Sequence, residues 1–518
     1  ATCRIRSNVT ITLHGSRAEA SEKGLIVSGE LDLYGQLYYP TWSRLAMRAH
    51  PNNRTLYLQE CVNWQPGQTI VVTTTHYNDA RTNNLNDVST IQSVRCVGVE
   101  AEPGSSGTIV HLAEVNLSEP LLHDHYAAAY EYQAEVGLLS RNIVIKGDNV
   151  HSEPNDTFPI ACSDDIFDSF PCSDTYLTGY GGHVKIVSGG VGRIAAVEFF
   201  QMGQTNVLGR YPLHYHLVGE DGRRSFVEDS SVHRSYFRCI VTHGTNNLRM
   251  SRNVAYDAIG NCFYLESGNE ENNIWEFNLG AHVHAVQHIM THSSPSSGQN
   301  GIDTFSSATL IVPADITAAP FYITNLNNTI VGNAAVGGWA GYSLPGVYEV
   351  MGDERFKDPS FVPMNRPTKR FDGNTARSRG YYWNRGSCLY IGGHLFHENE
   401  TSDTLWYNGG RRNDLTKRSP QNPVTGEDVW NVFTNMKLSL CGRSAVDWNK
   451  RSEFRHMEYH DFRDHTAHAF GDVLLDDVYV KCRTDNEFAD TGRKFYEKLY
   501  NKRSYKAFRS YDTGNRHL

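Results

Sequence analysis

The chain has 518 residues, of which 39% are hydrophobic and 20% charged, with a net charge of −9. That apolar share excludes wholesale disorder, and the acidic balance argues against a nucleic-acid partner, which favours a basic excess. No apolar run of about 18 residues occurs, so no membrane-spanning helix is expected in the chain.

The first residue is Ala1 rather than Met, which suggests a processed or excerpted piece. Short β runs follow one another between Gly, Asn and Pro turns, at 24–39 (GLIVSGELDLYGQLYY), 54–60 (RTLYLQE) and 68–77 (QTIVVTTTHY). Period-2 patterning with turn punctuation predicts a β-rich N-terminal domain over 1–135. After AEVGLLSRNIVIKGD (134–148) comes an irregular insert over 149–175, and then GGHVKIVSGG (181–190).

From about residue 190 a repeat emerges. VHRSYFRC (232–239) and VAYDAIGNC (254–262) end in Cys239 and Cys262, 23 residues apart, and 328–344 and 373–393 echo them more loosely. Short strands at such a period predict a parallel β-helix over 136–485, about twelve coils and ~60 Å long at most. Loops at 292–302, 353–372 and 400–428 would project from it. The basic stretch 486–518 would form a terminal tail, helix or cap. Aromatic residues make up 11% of the chain, including 28 Tyr, which suits a β surface that holds sugars.

Ten cysteines occur with no C-x2-C spacing, so a zinc ribbon is not expected. Cys162 and Cys172 flank a Ser/Asp/Pro loop and suggest a disulfide and an oxidising, extracellular compartment. Cys239 and Cys262 share one register and are expected to be inward thiols rather than a disulfide. Sequons begin at Asn8, Asn53, Asn116, Asn155, Asn327 and Asn399 and are compatible with a secreted glycoprotein.

The densest polar cluster is GRYPLHYHLVGE (209–220). On a strand His214 and His216 share one face and Tyr215 takes the other. Two imidazoles on one face chelate a metal or flank a substrate hydroxyl; the plainer alternative is a hydrogen-bonded histidine ladder, since H-x-H recurs at His123/His125 and His282/His284. His216 to His243 is 27 residues and His243 to Glu266 is 23, one coil each. Glu198, one short coil before His216, extends the set. Glu198, His214, His216, His243 and Glu266 then form a polar column, with Arg210, Arg238, Tyr215 and Asn246 as candidate substrate contacts. Such a column serves acid/base cleavage of a polysaccharide, or lies buried between coils with its groups satisfying one another. In RHMEYHDFRDHTAH (455–468), His460, Asp464, His465 and His468 form either a metal set or a polar strand edge.

The runs VEFFQMGQTNVLGRYPLHYHLVGE and SYFRCIVTHGTNNLRMSRNVAYDAIGNCFYLESG resemble the β-helix region of the fibrocystin-like proteins and the cell-migration-inducing hyaluronidases. GLIVSGELDLYGQ resembles the end of their eight-glycine domain. The resemblance implies an all-β, right-handed parallel β-helix in a secreted or cell-surface protein, a surface or ciliary one in the fibrocystin branch. Its partners would be surface or matrix proteins or a hyaluronan-like glycan. In the hyaluronidase branches it implies calcium-dependent endo-cleavage. By motif it adds His183 and Asp257 to the candidate residues, with Glu266 or Asp257 as acid/base. One acidic pair of the hyaluronidases is Glu266-Ser267 here, so one carboxylate is missing. Two readings follow: a non-catalytic extracellular rod that is structural, adhesive or glycan-binding, or a polysaccharide endo-hydrolase.

Overall fold

The computed structural model describes residues 3–77, 79, 83–100, 109–128, 132–154, 178–286, 310–378, 387–399, 401–408, 420–462, 465–469, 471–487 and 506–510. No α-helix occurs among them; the ordered elements are strands and short 3-10 turns. They build a right-handed parallel β-helix with a β-rich N-terminal module docked on its flank.

Each coil contributes one strand to each of three faces. Two faces belong to a 19-stranded sheet and the third to a 12-stranded sheet. The coil beginning at Leu213 illustrates the order. Leu213–Gly219 lies on the third face, Phe226–Glu228 on the first and Ser231–Ser235 on the second. The next coil repeats it with Ile240–Thr245, Arg249–Ser251 and Val254–Ile259, each parallel to its predecessor. Alternation decides what lies inside: Leu213 and Tyr215 join Ile240, Phe263, Phe321 and Tyr342 in the core. Successive aromatic rings stack along the rod, with Phe263–Phe321 and Phe321–Tyr342 centroids each 4.9 Å apart. Each fully buried aromatic contributes roughly 1.5–3 kcal/mol of apolar burial.

The corner between the first and second faces is built by a repeated local device. A single residue with positive φ reverses the backbone: Arg252 (55°), Phe277 (55°), Gly332 (64°) and Gly373 (65°). In these four coils the next residue is asparagine: Asn253, Asn278, Asn333, Asn374. Left-handed backbone costs a non-glycine residue about 1–2 kcal/mol. The asparagines offset it as a buried ladder. Each Oδ1 accepts the backbone N–H of the asparagine one coil earlier (3.0, 3.0 and 2.9 Å) and that residue's Nδ2 (2.9, 2.9 and 3.1 Å). Each Nδ2 also donates to a backbone carbonyl, those of Val227, Met250, Trp275 and Ile330.

The N-terminal strands Val9–Leu13, Gly24–Val27 and Glu30–Tyr34 pair in parallel with rod strands at 143–147, 183–186 and 191–195, so they form the first coil. The module proper is a six-stranded antiparallel sheet between Trp42 and Leu138, with its own core around Leu45, Trp64, Ile70 and Val115. It lies along the rod, with Val71 packed against Val254, Leu279 and Ala334. Trp42 Nε1 donates to Phe277 O (2.7 Å) and Thr41 Oγ1 to Arg252 O (2.6 Å). Buried Arg377 on the rod pairs with buried Glu135 on the module. Farther along, Tyr132 and Thr75 bond Glu458 and Asn486. At the C-terminal end Lys506–Ser510 adds a parallel strand to His465–Ala469 where a helix or cap was expected.

Among the described residues three disulfides are present: Cys61–Cys96, Cys239–Cys262 and Cys388–Cys441. The expectation of inward thiols at Cys239 and Cys262 is corrected. Stacking one coil apart leaves their Cα atoms 4.5 Å apart, within bonding reach for a disulfide. Cys162, Cys172 and Asn155 lie outside the described residues. Asn8, Asn53 and Asn399 are exposed, and Asn116 and Asn327 half-buried.

Candidate functional site

His214 and His216 both project outward from Leu213–Gly219, and His243 stands beside His216 in the register of the next coil. His214 is fully buried all the same, because the loop before its strand folds over it. Tyr211 roofs its ring (centroids 4.8 Å), and Gly209 presents a carbonyl 3.1 Å from His214 Nδ1, which donates to it. Gly209 has φ +78°, and a Cβ there would meet Lys185 Nζ at 3.0 Å.

Glu266 closes the group from the following coil. Its Oε2 lies 3.7 Å from His214 Nε2 and 3.9 Å from His243 Nδ1, while its Oε1 accepts the Tyr211 hydroxyl (3.1 Å). His216 Nδ1 faces His243 Nδ1 at 3.0 Å. One ligand atom from each of the three histidines fits within 4.8 Å. His214 Nε2 and Glu266 Oε2 are buried without a hydrogen-bond partner. His216 and His243 are half-buried and open the cluster to solvent. Burial, then the neighbouring His243, holds His216 down to about 4, and burial with His243 and His216 holds His214 well below the usual imidazole range, so both are neutral at pH 7.

Lys185, paired in register with His214, borders this opening. Burial lowers its pKa, and it lies within electrostatic range of Glu22, Glu266 and Arg210. Its half-buried ammonium has no hydrogen-bond or ion-pair partner among the described residues. Arg210 stands at the rim, bonded to Glu22, Gln204 and Tyr180.

The other candidates are placed elsewhere. Glu198 lies on the second face, where it accepts from Arg141 N (2.8 Å) and contacts His233 Nε2 (3.0 Å). The loop after it turns the chain around a corner before His214, so Glu198 is not part of the column. Asp257 sits on the same second face, in Val254–Ile259. Tyr215 points into the core, its hydroxyl donating to Gly192 O (2.9 Å), which leaves no ring surface for a sugar. Arg238 is wholly buried, paired with Asp315 (3.1 Å) and 3.5 Å over the Tyr264 ring, so it grips no uronate. His183 is buried with Nε2 3.1 Å from Glu22 O. Asn246 holds turns together, donating to Glu220 Oε1 (2.6 Å) and accepting from Glu271 N (2.8 Å). Glu270, the next acid after Glu266, spends its oxygens on the backbone N–H groups of Gly244, Ser267 and Gly268. His460 lies on the second face and His465 and His468 on the third, with Asp464 outside the described residues. Lys185 and Tyr211 were not singled out from the sequence; the alternation that pairs Lys185 with His214 was the available signal.

Residues 179–382 match the CEMIP beta-helix family and residues 1–46 the G8 domain family. A G8 domain-containing protein of Dictyostelium discoideum is 36% identical over 505 residues, covering 95% of this chain and 32% of that protein. Communication mutant protein F of the same organism is 36% identical over 514 residues, 96% of this chain and 41% of its own. Human fibrocystin-L is 32% identical over 415 residues, 74% of this chain and 9% of its own. The chain thus spans well under half the length of these relatives. Among solved structures, the catalytic domain of a GH87 alpha-1,3-glucanase aligns over 90% of this chain and 94% of that one, at 9% identity and a TM-score of 0.31. The chain thus joins a segment of the G8 domain family, in its first coil, to a β-helix of the CEMIP family, and over that stretch it is homologous to fibrocystin-L and to the Dictyostelium G8 domain proteins.

Proposed function

We propose that this chain is an extracellular or cell-surface rod segment that engages an acidic, hyaluronan-like glycan along the face carrying Lys185, His216 and His243. The observation that carries the reading is the half-buried Lys185 ammonium with no anionic partner of its own among the described residues, set at the mouth of a histidine cluster. A uronate carboxylate supplies the missing counter-charge, and Arg210 at the rim lies within reach of the same chain. The three disulfides suit an oxidising compartment. The likeness to hyaluronan-acting branches noted from the sequence supports the same glycan class. Because Arg238 and Tyr215 are enclosed, recognition falls to few groups, which suits a binding segment better than a cleft that grips several sugars.

The test is retention on immobilised hyaluronan against neutral dextran, with long hyaluronan sized in parallel. Salt-reversible retention on hyaluronan alone, weakened about tenfold by Lys185→Gln, is expected, since a charge-assisted bond is worth roughly 1.5 kcal/mol or more. Equal retention on dextran, or none on either, would sink the reading and leave a structural rod with protein partners. Shortening of the hyaluronan would assign endo-cleavage as well.

A further inference from the structure

We propose that His214, His216, His243 and Glu266 form a mononuclear site for a divalent transition-metal ion of the zinc class. Three imidazole nitrogens lie within 4.8 Å of one another and the Glu266 carboxylate stands 3.7 and 3.9 Å from two of them, so the donors come from three successive coils; the His214 and Glu266 atoms have no other role. His214 donates its Nδ1–H to Gly209 O (3.1 Å), which fixes the tautomer and leaves the Nε2 lone pair aimed into the cluster. That Nε2 is buried and has no hydrogen-bond partner. Glu266 is arranged in the same way. Tyr211 occupies Oε1 (3.1 Å), and Oε2 is buried and unpartnered on the cluster side. An unpaired buried carboxylate oxygen is costly unless a cation meets it.

The spacings match one ion. Donors around a tetrahedral zinc at about 2.0–2.1 Å stand about 3.4 Å apart. The measured separations are 3.0 Å for His216 Nδ1 to His243 Nδ1, 3.7 Å for His214 Nε2 to Glu266 Oε2 and 3.9 Å for His243 Nδ1 to Glu266 Oε2. The same donors are wrong for calcium, the ion that the family likeness implies. Calcium takes six to eight oxygens, whereas three of the four donors here are imidazole nitrogens, which suit zinc, copper, iron or nickel. Half-buried His216 and His243 leave an entry path from solvent. The inference does not rest on the glycan reading, because metal binding is measured without any glycan.

The experiment strips the protein with chelator, equilibrates it with equimolar zinc, cobalt(II) or calcium, and reads retained metal by mass spectrometry after gel filtration. The cobalt form is also read by its visible spectrum. Zinc retained at the site, a four-coordinate cobalt spectrum and no retained calcium are expected. His243→Ala, at the half-buried mouth, and Glu266→Gln, at its buried wall, should each lower zinc affinity more than about tenfold, and Tyr211→Phe about tenfold as a supporting contact. A second grouping, Asp79, His282 and His284, lies where the module meets the rod, so the variants and not the metal count assign the site. Zinc retention unchanged in correctly folded His243→Ala and Glu266→Gln, no zinc retained, or calcium retained in its place would overturn the inference.

Discussion

Replacing Asn278 with alanine cuts the corner ladder in mid-rod. The side chain's Oδ1 accepts Asn253 N (3.0 Å) and Asn253 Nδ2 (2.9 Å), and its Nδ2 donates to Met250 O (3.1 Å). The backbone N–H of residue 278 keeps its own acceptor, Asn333 Oδ1 (3.0 Å). Two donors are therefore orphaned, the Asn253 backbone N–H and one of its amide hydrogens, while Met250 O, in the parallel ladder with Ile274–Glu276, loses one of its donors. All lie in a wholly buried corner that water does not reach. Each orphan costs roughly 1–3 kcal/mol, so the variant should lose about 4 kcal/mol, a large part of the usual 5–15 kcal/mol. Guanidinium unfolding followed by fluorescence and circular dichroism measures it, with the slope checked for constancy. Asn149→Ala, on an exposed residue, is the control and should change stability by no more than about 0.5 kcal/mol. A loss below ~1 kcal/mol for Asn278→Ala at unchanged slope would refute the claim that the ladder holds the corner.

Three further outcomes are expected. Joint Cys239→Ser and Cys262→Ser, which opens a loop of 23 residues, should lower stability by about 3 kcal/mol in guanidinium, and a loss near zero would show that stacking alone fixes those coils. Burial alone would raise the Asp148 carboxyl, but hydrogen bonds from Lys23 and from His151 and Val150 N–H overcome it and hold it at about 2. Its contribution, roughly 2 kcal/mol, is therefore complete above about pH 4 and lost as pH falls through 2, so wild type and Asp148→Asn should converge in urea midpoint at the acid end and diverge above it. Arg377→Ala leaves Glu135 buried with only Arg44 (3.5 Å) as a cation and should cost about 3–5 kcal/mol, with faster proteolysis at the module boundary; an unchanged digestion pattern would argue against that pair as the clamp.

Much of the architecture was legible because stacking imposes a period. The 23-residue step from Cys239 to Cys262 and the alternation through Leu213, His214, Tyr215 and His216 place those residues correctly without any structure. His243 and Glu266 were also legible, one coil apart each. What the period hides is corner length. Glu198 is 18 residues before His216, near enough to one coil to look aligned, yet the loop between them moves it to another face. Partners across long insertions are equally hidden: Asp315, which neutralises Arg238, is 77 residues away, so the arginine read as a surface grip. Lys185 was missed because a lone lysine in a strand carries no spacing signal. The bond between Cys239 and Cys262 depends on inter-coil geometry that residue counting does not resolve.

The flanking module gives the rod a mechanical character that a bare stack lacks. Coils that touch only their neighbours peel one at a time when pulled. Here one antiparallel sheet is fastened to coils far apart in the chain, through Thr41 and Trp42 at Arg252 and Phe277, Glu135 at Arg377, and Tyr132 and Thr75 at Glu458 and Asn486. It acts as a splint. Tension applied along the axis is shared among those fastenings, so the segment they span yields as one unit and the outer coils beyond them give way first.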